Sequence, residues 1–351
     1  MTTKNFYKEL EPYKAPIIAE IGNTHCGIFK RLEQLVNIVS KSDTSILKFQ
    51  IFKTYERAEI NTKEWSIFSK LEFNELQWKK IFKLCKKKKL FIIAEVYGEE
   101  SLDLAKSLRA NAYKIHSEDS LNIRLILKTL KTSKPTLISV GGLKRLEILN
   151  LVKYIKDFKE QVVLMTGVQS FPTPIISHSV FEVIDLLKKF DFKVGFADHV
   201  EGDTFMSECI AYMAISAGAS IIEKHFTYKR SLKWIDYHSS LSSQNFINFT
   251  RNFNKHKKIL DNNLNNFNSD EKKYRRMFKK YPVSQKNIKK NKKIPSKDIV
   301  FKKIRSSKNI IKLSAIENRQ LVKKINKNTI INQEYLKKKN GVIIVVRNRS
   351  E

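Results

Sequence analysis

Eight short runs of β-branched and other apolar residues punctuate the first part of the chain: PIIAEIG (16–22), ILKFQIF (46–52), LFIIAEV (90–96), AYKIHS (112–117), TLISVG (136–141), VVLMTG (162–167), KVGFAD (193–198) and SIIEKHF (220–226). Each is too short for a helix. Most are continuous rather than alternating, as expected of strands buried on both faces in a parallel sheet. Between them, apolar residues recur at three- and four-residue spacing in RLEQLVNIVSK, FNELQWKKIFKLCKKKK, SLDLAKSLRA, IRLILKTLKT, RLEILNLVKYIKD, SVFEVIDLLKKF and FMSECIAYMAISAGA. That is the period of amphipathic helices. An eighth helical pattern, SSQNFINFTRNFNKHKKIL, follows the last run. Run starts lie 22 to 31 residues apart, with one gap of 44. Eight β–α units over about 250 residues predict an α/β fold of the (β/α)8 TIM-barrel type. A doubly wound sheet is the competing architecture. Its Gly-rich first turn is missing, because the first turn here reads IGNTHCG.

The pattern changes after Leu260. DNNLNNFNSDEKK is polar and Asn-rich, and predicts a linker over 261–280. Residues 281–351 carry short strand-like pieces, among them YPVSQKNIKKNKKIPSKDIVFKKI and INKNTIINQEYLKKKNGVIIVV. The predicted organisation is a barrel domain over 1–260, the linker, and a small β-rich domain over 281–351.

Composition changes this picture little; charge changes it more. The chain has 351 residues, 42% of them hydrophobic, with only 10 Gly and 7 Pro, which excludes disordered and collagen-like classes. Its formal net charge is +32. Residues 251–351 hold 30 basic and 7 acidic side chains, so +23 of that excess sits in the last hundred residues and only +9 in the first 250. A polyanion-binding protein is one reading of the basic end. Lysine-, asparagine- and isoleucine-rich coding drift is the plainer one. Stacking aromatics are few there and no RNA-binding signature is present, which argues against nucleic acid as a partner. The three cysteines, Cys26, Cys85 and Cys209, are scattered and odd in number, and fit a reducing, cytoplasmic setting. The N-terminus has no apolar signal core, and the uncharged apolar run of 14 residues from Cys209 to Ile222 is too short to span a bilayer.

In a barrel, chemistry gathers at the C-terminal strand ends. Polar residues interrupt or follow the apolar runs there, with the aromatic Phe171 beside Gln169: Glu20, Asn23 and His25; Lys48 and Gln50; Glu95; Lys114, His116, Ser117 and Asp119; Ser139; Gln169; Asp198 and His199; Glu223, Lys224 and His225. Singly, each is accounted for as a satisfied core polar group. Together they predict one shared site, because buried polar groups need partners or a wet cavity. Lys48 and Lys114, with Ser117 and Ser139, read as an anion cradle suited to phosphate. A structural ion pair is the alternative for either lysine. His199 and His225, at the ends of adjacent strands, could hold a divalent metal with positions open to substrate and water. Glu20 and Asp119 could act as general acid or base, or hydrogen-bond to lysines or metal ligands. No G-x-x-x-x-G-K-S/T loop and no G-x-S-x-G elbow is present. The set points to a small phosphorylated substrate.

Eight stretches, in order and at barrel-strand spacing, carry a resemblance: AEIGNTHCG (19–27), LKFQIFK (47–53), YKIHSEDSLN (113–122), KPTLISVGG (134–142), FPTP (171–174), GFADHVEG (195–202), IIEKHFT (221–227) and DYHSSL (236–241). Over nearly its whole length the chain resembles the N-acetylneuraminate (sialic acid) synthase family, with a looser likeness of the C-terminal segment to that family's antifreeze-like (SAF) domain. The resemblance implies a condensation of phosphoenolpyruvate with the aldehyde of an open-chain N-acyl amino sugar, giving a nonulosonic acid and phosphate. It implies a divalent metal, usually Mn, with Mg the alternative, on His199 and His225. It implies phosphoenolpyruvate contacts from Lys48, Lys114, Ser117 and Ser139, catalytic carboxylates at Glu20 and Asp119, and sugar-facing Gln50 and Asp236. It also implies a homodimer in which the second domain caps the neighbour's barrel.

The chain departs from the family pattern at several positions. Thr24 stands where an Asn precedes His25. Glu95 stands in place of a phosphate-contacting Thr, Ala197 in place of a Ser, Gln169 in place of an Asn, and Phe171 in place of a Tyr. In the second domain the family's Lys-Arg-Pro-Gly segment reads Lys302-Lys303-Ile304-Arg305, so Lys303 takes the place of the arginine and Arg305 is the candidate substitute. A carboxylate beside a phosphate repels it unless neutralised, and lysine lacks the guanidinium fork. A member acting on a different sugar, or with altered catalysis, is therefore a competing expectation.

Overall fold

The computed structural model describes residues 6–8, 10, 14–174, 180–261, 267–304, 306 and 312–337. The chain divides into two compact units, Met1–Asn262 and Asn263–Glu351.

The first unit is the expected barrel. Its strands are β1 (Ile17–Glu20), β2 (Ile46–Ile51), β3 (Phe91–Val96), β4 (Ala112–Ile115), β5 (Thr136–Ser139), β6 (Val162–Thr166), β7 (Lys193–Asp198) and β8 (Ile221–Thr227). Each pairs in parallel with the next, and β8 closes on β1 with His225 opposite Glu20. The short β9 (Leu241–Ser242) adds to β8. The helices expected between the runs are present, among them Phe29–Val39, Glu75–Lys87, Phe205–Ala217 and Ser243–His256. The 44-residue gap holds two additional helices, Thr54–Arg57 and Lys63–Leu71.

The continuous apolar runs resolve into two layers because strand side chains alternate. Outward residues such as Ala19, Leu47, Ile92, Ile115, Leu164 and Phe196 pack under the helices in the main core. Inward residues such as Ile18, Ile46, Phe91, Leu137, Val163 and Ile221 form a separate cluster inside the barrel. Phe6 and Leu10 belong to that inner cluster, and the Phe6 ring stacks on Phe91 with centroids 4.8 Å apart, forming a floor at the N-terminal end. Two residues on either side of the strands' inward parity change the expected grouping. Asp198 and Lys224, read from sequence as part of the shared site, point outward and pair with each other under the helices, where Lys224 also donates to the Ser207 carbonyl at 2.7 Å. Both are fully buried.

In the second unit, β10 (Lys280–Ser284) pairs antiparallel with β11 (Ile299–Lys303). Isolated bridges such as Val283–Ile330 and Ile288–Ile325 extend the pairing. Isoleucine and leucine build its core: Ile288, Ile294, Ile299, Ile316, Leu321, Ile325, Ile331 and Leu336. The stretch read as a linker contains the helix Ser269–Phe278, which Asn268 and Glu271 open with a reciprocal capping box. The GVIIVV run and Arg305 lie outside the described residues. Among the described residues no helix is long and apolar enough to cross a membrane, and the three cysteines are free.

The outward pair generates a stability prediction. Removing one partner of a buried ion pair strands the other charge and costs about 3–5 kcal/mol, whereas replacing both by apolar groups of similar volume is near neutral. Lys224→Met is expected to lower the urea unfolding free energy by about that amount, and Asp198→Leu in the same chain to recover most of it. Equal stability of Lys224→Met and the parent would refute the pairing.

Candidate active site

The inward side of the barrel changes chemistry one residue pair above the apolar cluster. Glu20, Lys48, Glu95, Lys114 and Glu223 lie at successive inward positions and are all buried. Lys48 Nζ lies 3.1 Å from Glu20, 2.8 Å from Glu95 and 2.9 Å from Glu223. Lys114 Nζ lies 2.7 Å from Glu223 and 3.2 Å from Glu95. Two ammonium groups therefore face three carboxylates. Burial is the largest influence on Glu20 and, with Glu223 and Glu95 nearby, pushes its carboxyl up to about 8 despite Lys48. Burial also pulls Lys48 down, but Glu20, Glu223 and Glu95 together hold its ammonium well above the ordinary lysine value. Burial likewise opposes ionisation of Glu95 and Glu223, and the two lysines overcome it, holding both below the usual carboxylate range. A protonated Glu20 makes the layer neutral: two ammoniums, two carboxylates and one acid.

Above this layer lies an open-mouthed cavity of about 150 Å³. Lys48, Glu95, Lys114, Ser139, Ala197 and Glu223 form its base. One wall carries His199, His225, Gln169 and Phe171; another carries Asn23, Gln50 and Asp236; a third carries Arg57, Tyr97, His116 and Glu118.

The histidine wall is preorganised. The His199 carbonyl accepts from the Thr173 backbone at 2.8 Å and from Ser239 Oγ at 2.9 Å. Its Nδ1 lies 2.7 Å from the Val168 carbonyl. A carbonyl can only accept, so Nδ1 carries the proton and Nε2 keeps its lone pair. Burial holds His199 down to about 4, and burial with the neighbouring His199 holds His225 well below the ordinary imidazole value. The rings are 5.2 Å apart, and Phe171 packs on His199 at 4.4 Å. His225 Nδ1 is buried with no hydrogen-bond partner.

The second wall depends on a tight turn after β1. Gly22 sits at φ +53° and donates its N–H to Glu20 Oε1 at 2.8 Å. A Cβ at this position would come within 2.8 Å of Asp236 Oδ2. The turn lets the Asn23 backbone donate to Asp236 at 2.8 Å, while the Asn23 amide donates to Gln50 at 3.2 Å. Burial raises the Asp236 carboxyl pKa.

The sequence-predicted residues thus divide. Lys48, Gln50, Lys114, Ser139, Gln169, Phe171, Asp236, His199 and His225 line one cavity. Glu20 is brought beneath it, tied to Lys48 and Gly22. Ser117 and Asp119 are not brought to the cavity. After β4 ends at Ile115 the chain enters a 3-10 turn over Ser117–Asp119 that presents His116 and Glu118 instead, and Asp119 accepts from Asn122 at 2.9 Å. Both lysines carry carboxylate partners, as the ion-pair alternative expects. His25 serves the fold: its Nδ1 accepts from the Gly27 N–H at 2.9 Å, and its ring packs on Phe73. Thr24, likewise, hydrogen-bonds the turn through the Ile21 carbonyl at 2.7 Å. Sequence reasoning assigned no role to Glu223, although its charge inside SIIEKHF marked it, and missed Arg57 and Tyr97. Among the described residues, no group of three or more His, Cys, Asp or Glu side chains is arranged to hold a metal ion.

The NeuB family model matches residues 35–265. The chain belongs to the NeuB family. The N,N'-diacetyllegionaminic acid synthase of Campylobacter jejuni is 25% identical over 294 residues, covering 79% of this chain and 86% of that protein. The pseudaminic acid synthase of Helicobacter pylori is 27% identical over 255 residues, covering 68% and 72%. Among solved structures, the N-acetylneuraminic acid synthetase of Leptospira borgpetersenii in complex with citrate superposes with a TM-score of 0.68 at 25% identity, covering 77% of this chain and 93% of that one. This NeuB-family chain is an enzyme, and its relatives include acid synthases.

The charged layer predicts a pH dependence. A group whose folded pKa is raised contributes stability that is full below its unfolded value and lost as pH rises through the folded one. For Glu20 that window runs from about 4.5 to about 8. Across it, urea midpoints of the parent should fall relative to those of Glu20→Gln, which keeps the shape and removes the ionisation. Parallel curves would remove the protonated Glu20.

Proposed function

We propose that this enzyme joins phosphoenolpyruvate to the aldehyde of an open-chain N-acyl amino sugar, giving a nonulosonic acid and phosphate. The observation that carries the reading is the pair of neutral, buried imidazoles, His199 and His225, standing over a charged layer at the mouth of a NeuB-family barrel. In the reaction, C3 of phosphoenolpyruvate forms the new bond to the aldehyde carbon. Water adds at C2, and the C–O bond to phosphate breaks.

The two histidines suit a divalent metal, Mn or Mg: both are neutral, the His199 tautomer leaves Nε2 free to ligate, and His225 Nδ1 has no protein partner. Such a metal supplies Lewis-acid polarisation of the aldehyde when bound. Lys48, Lys114 and Ser139 face the phosphoenolpyruvate end in this reading. Asn23, Gln50 and Asp236 take the sugar hydroxyls. Phe171, 53% exposed and packed on His199, forms part of the rim.

A second reading, a family member with altered catalysis, draws on Glu95. Its carboxylate occupies both lysines, so an incoming phosphate must share or displace it. A screen of N-acyl hexosamines, including diacetylated 6-deoxy forms, separates the two readings. Phosphate release that requires both sugar and metal supports the synthase. Intact folding and metal binding with no turnover supports the altered member. His199→Ala is expected to cost about a thousandfold or more in rate, and undiminished turnover in it after exhaustive chelation would refute the metal role. The homodimer belongs to the same reading, and a monomer by sedimentation equilibrium at working concentration would remove it.

A further inference from the structure

Three cations line the cavity: Lys48, Lys114 and Arg57. The lysines are held by carboxylates within the barrel. Arg57 is not used up in this way. Its Nη2 donates to the two oxygens of Glu118 at 2.8 and 3.0 Å, while Nε and Nη1 are buried with no hydrogen-bond partner. The side chain is only 5% exposed. Its Cζ lies 3.8 Å from the ring centroids of both Phe68 and Tyr97 and 5.0 Å from that of Phe52. Such ring contacts satisfy the cation's charge and fix its position, but they do not use its N–H fork. Buried donors without partners are uncommon in folded proteins and call for a specific cause. A guanidinium fork bordering a cavity is built for a carboxylate or phosphate.

Its place in the barrel gives the fork a direction of use. Phe52 follows β2, Tyr97 follows β3 and Glu118 follows β4, so Arg57 stands over that side of the mouth. His199 follows β7 and His225 lies on β8, across the closed eight-strand ring. The cavity therefore has an imidazole pole and a guanidinium pole.

We propose that Arg57 is a substrate-binding residue that takes an oxyanion group at the pole opposite the histidines. The identity of the anion's carrier rests on the function proposed above; the anion site itself does not. Two sources share the chemistry: the carboxylate or phosphate of phosphoenolpyruvate, or a phosphate at the end of the amino sugar far from its aldehyde.

Calorimetric titration of the full chain tests this, using phosphoenolpyruvate, inorganic phosphate, a neutral N-acyl hexosamine and its 6-phosphate, each alone. Arg57→Gln keeps a planar amide and loses the charge; Arg57→Lys keeps the charge and loses the fork. Arg57→Gln should weaken at least one anion by about 10- to 100-fold. Arg57→Lys should fall between it and the parent, and the neutral sugar should be unaffected. A loss for phosphoenolpyruvate assigns the fork to that substrate; a loss confined to the sugar phosphate assigns it to the acceptor. Steady-state kinetics should repeat the split as a raised KM for the same substrate. Thermal melting controls for misfolding, and if Arg57→Gln does not fold, Arg57→Lys decides alone. Unchanged anion affinities in the folded variants, or no anion binding by the parent, overturn the proposal. Anion binding without turnover on any sugar leaves Arg57 in place and counts against the proposed reaction instead.

Discussion

The site depends on a layer of buried charge. Isolated ions cannot be taken out of water at acceptable cost, so an inward Lys in a barrel demands carboxylates and an inward Glu demands cations or a proton. Lys48 draws on three strands at once through Glu20, Glu95 and Glu223, and Lys114 shares two of those partners. The layer thereby ties β1, β2, β3, β4 and β8 together at one level. The cavity mouth is built on that level, with the two histidines, Gln50 and Asp236 standing above it.

The same alternation that builds the layer explains what was legible in the sequence. Strand positions were legible because buried parallel strands leave apolar runs at β–α spacing, and the observed strands differ from those runs only at their ends. Parity within a run decides which charge faces inward. In IIEKHFT, Glu223 and His225 share one face while Lys224 takes the other, so Lys224 joins Asp198 outside the barrel rather than the site. Period-two reasoning was available there, yet grouping charges by strand concealed it.

Other features were not legible for physical reasons. That Lys48 and Lys114 share carboxylates depends on barrel closure, which brings β8 beside β1 and Glu223 within reach of both. Ser117 and Asp119 share the outward parity of Tyr113 and Ile115, whereas Lys114, His116 and Glu118 line the cavity, the last two beyond the strand end through a 3-10 turn that no strand pattern shows. Arg57 sits in the long gap between the second and third runs, where the short helix Thr54–Arg57 is set by tertiary packing on Phe52, Phe68 and Tyr97 rather than by periodicity.

The floor made by Phe6 and Leu10 bears on traffic. Packed against Phe91 and the inner apolar cluster, it closes the barrel at the end away from the chemistry. Any molecule that reaches the charged layer must then enter and leave by the same mouth. For the condensation proposed above, such a vessel leaves the deeper of the two reactants to load first.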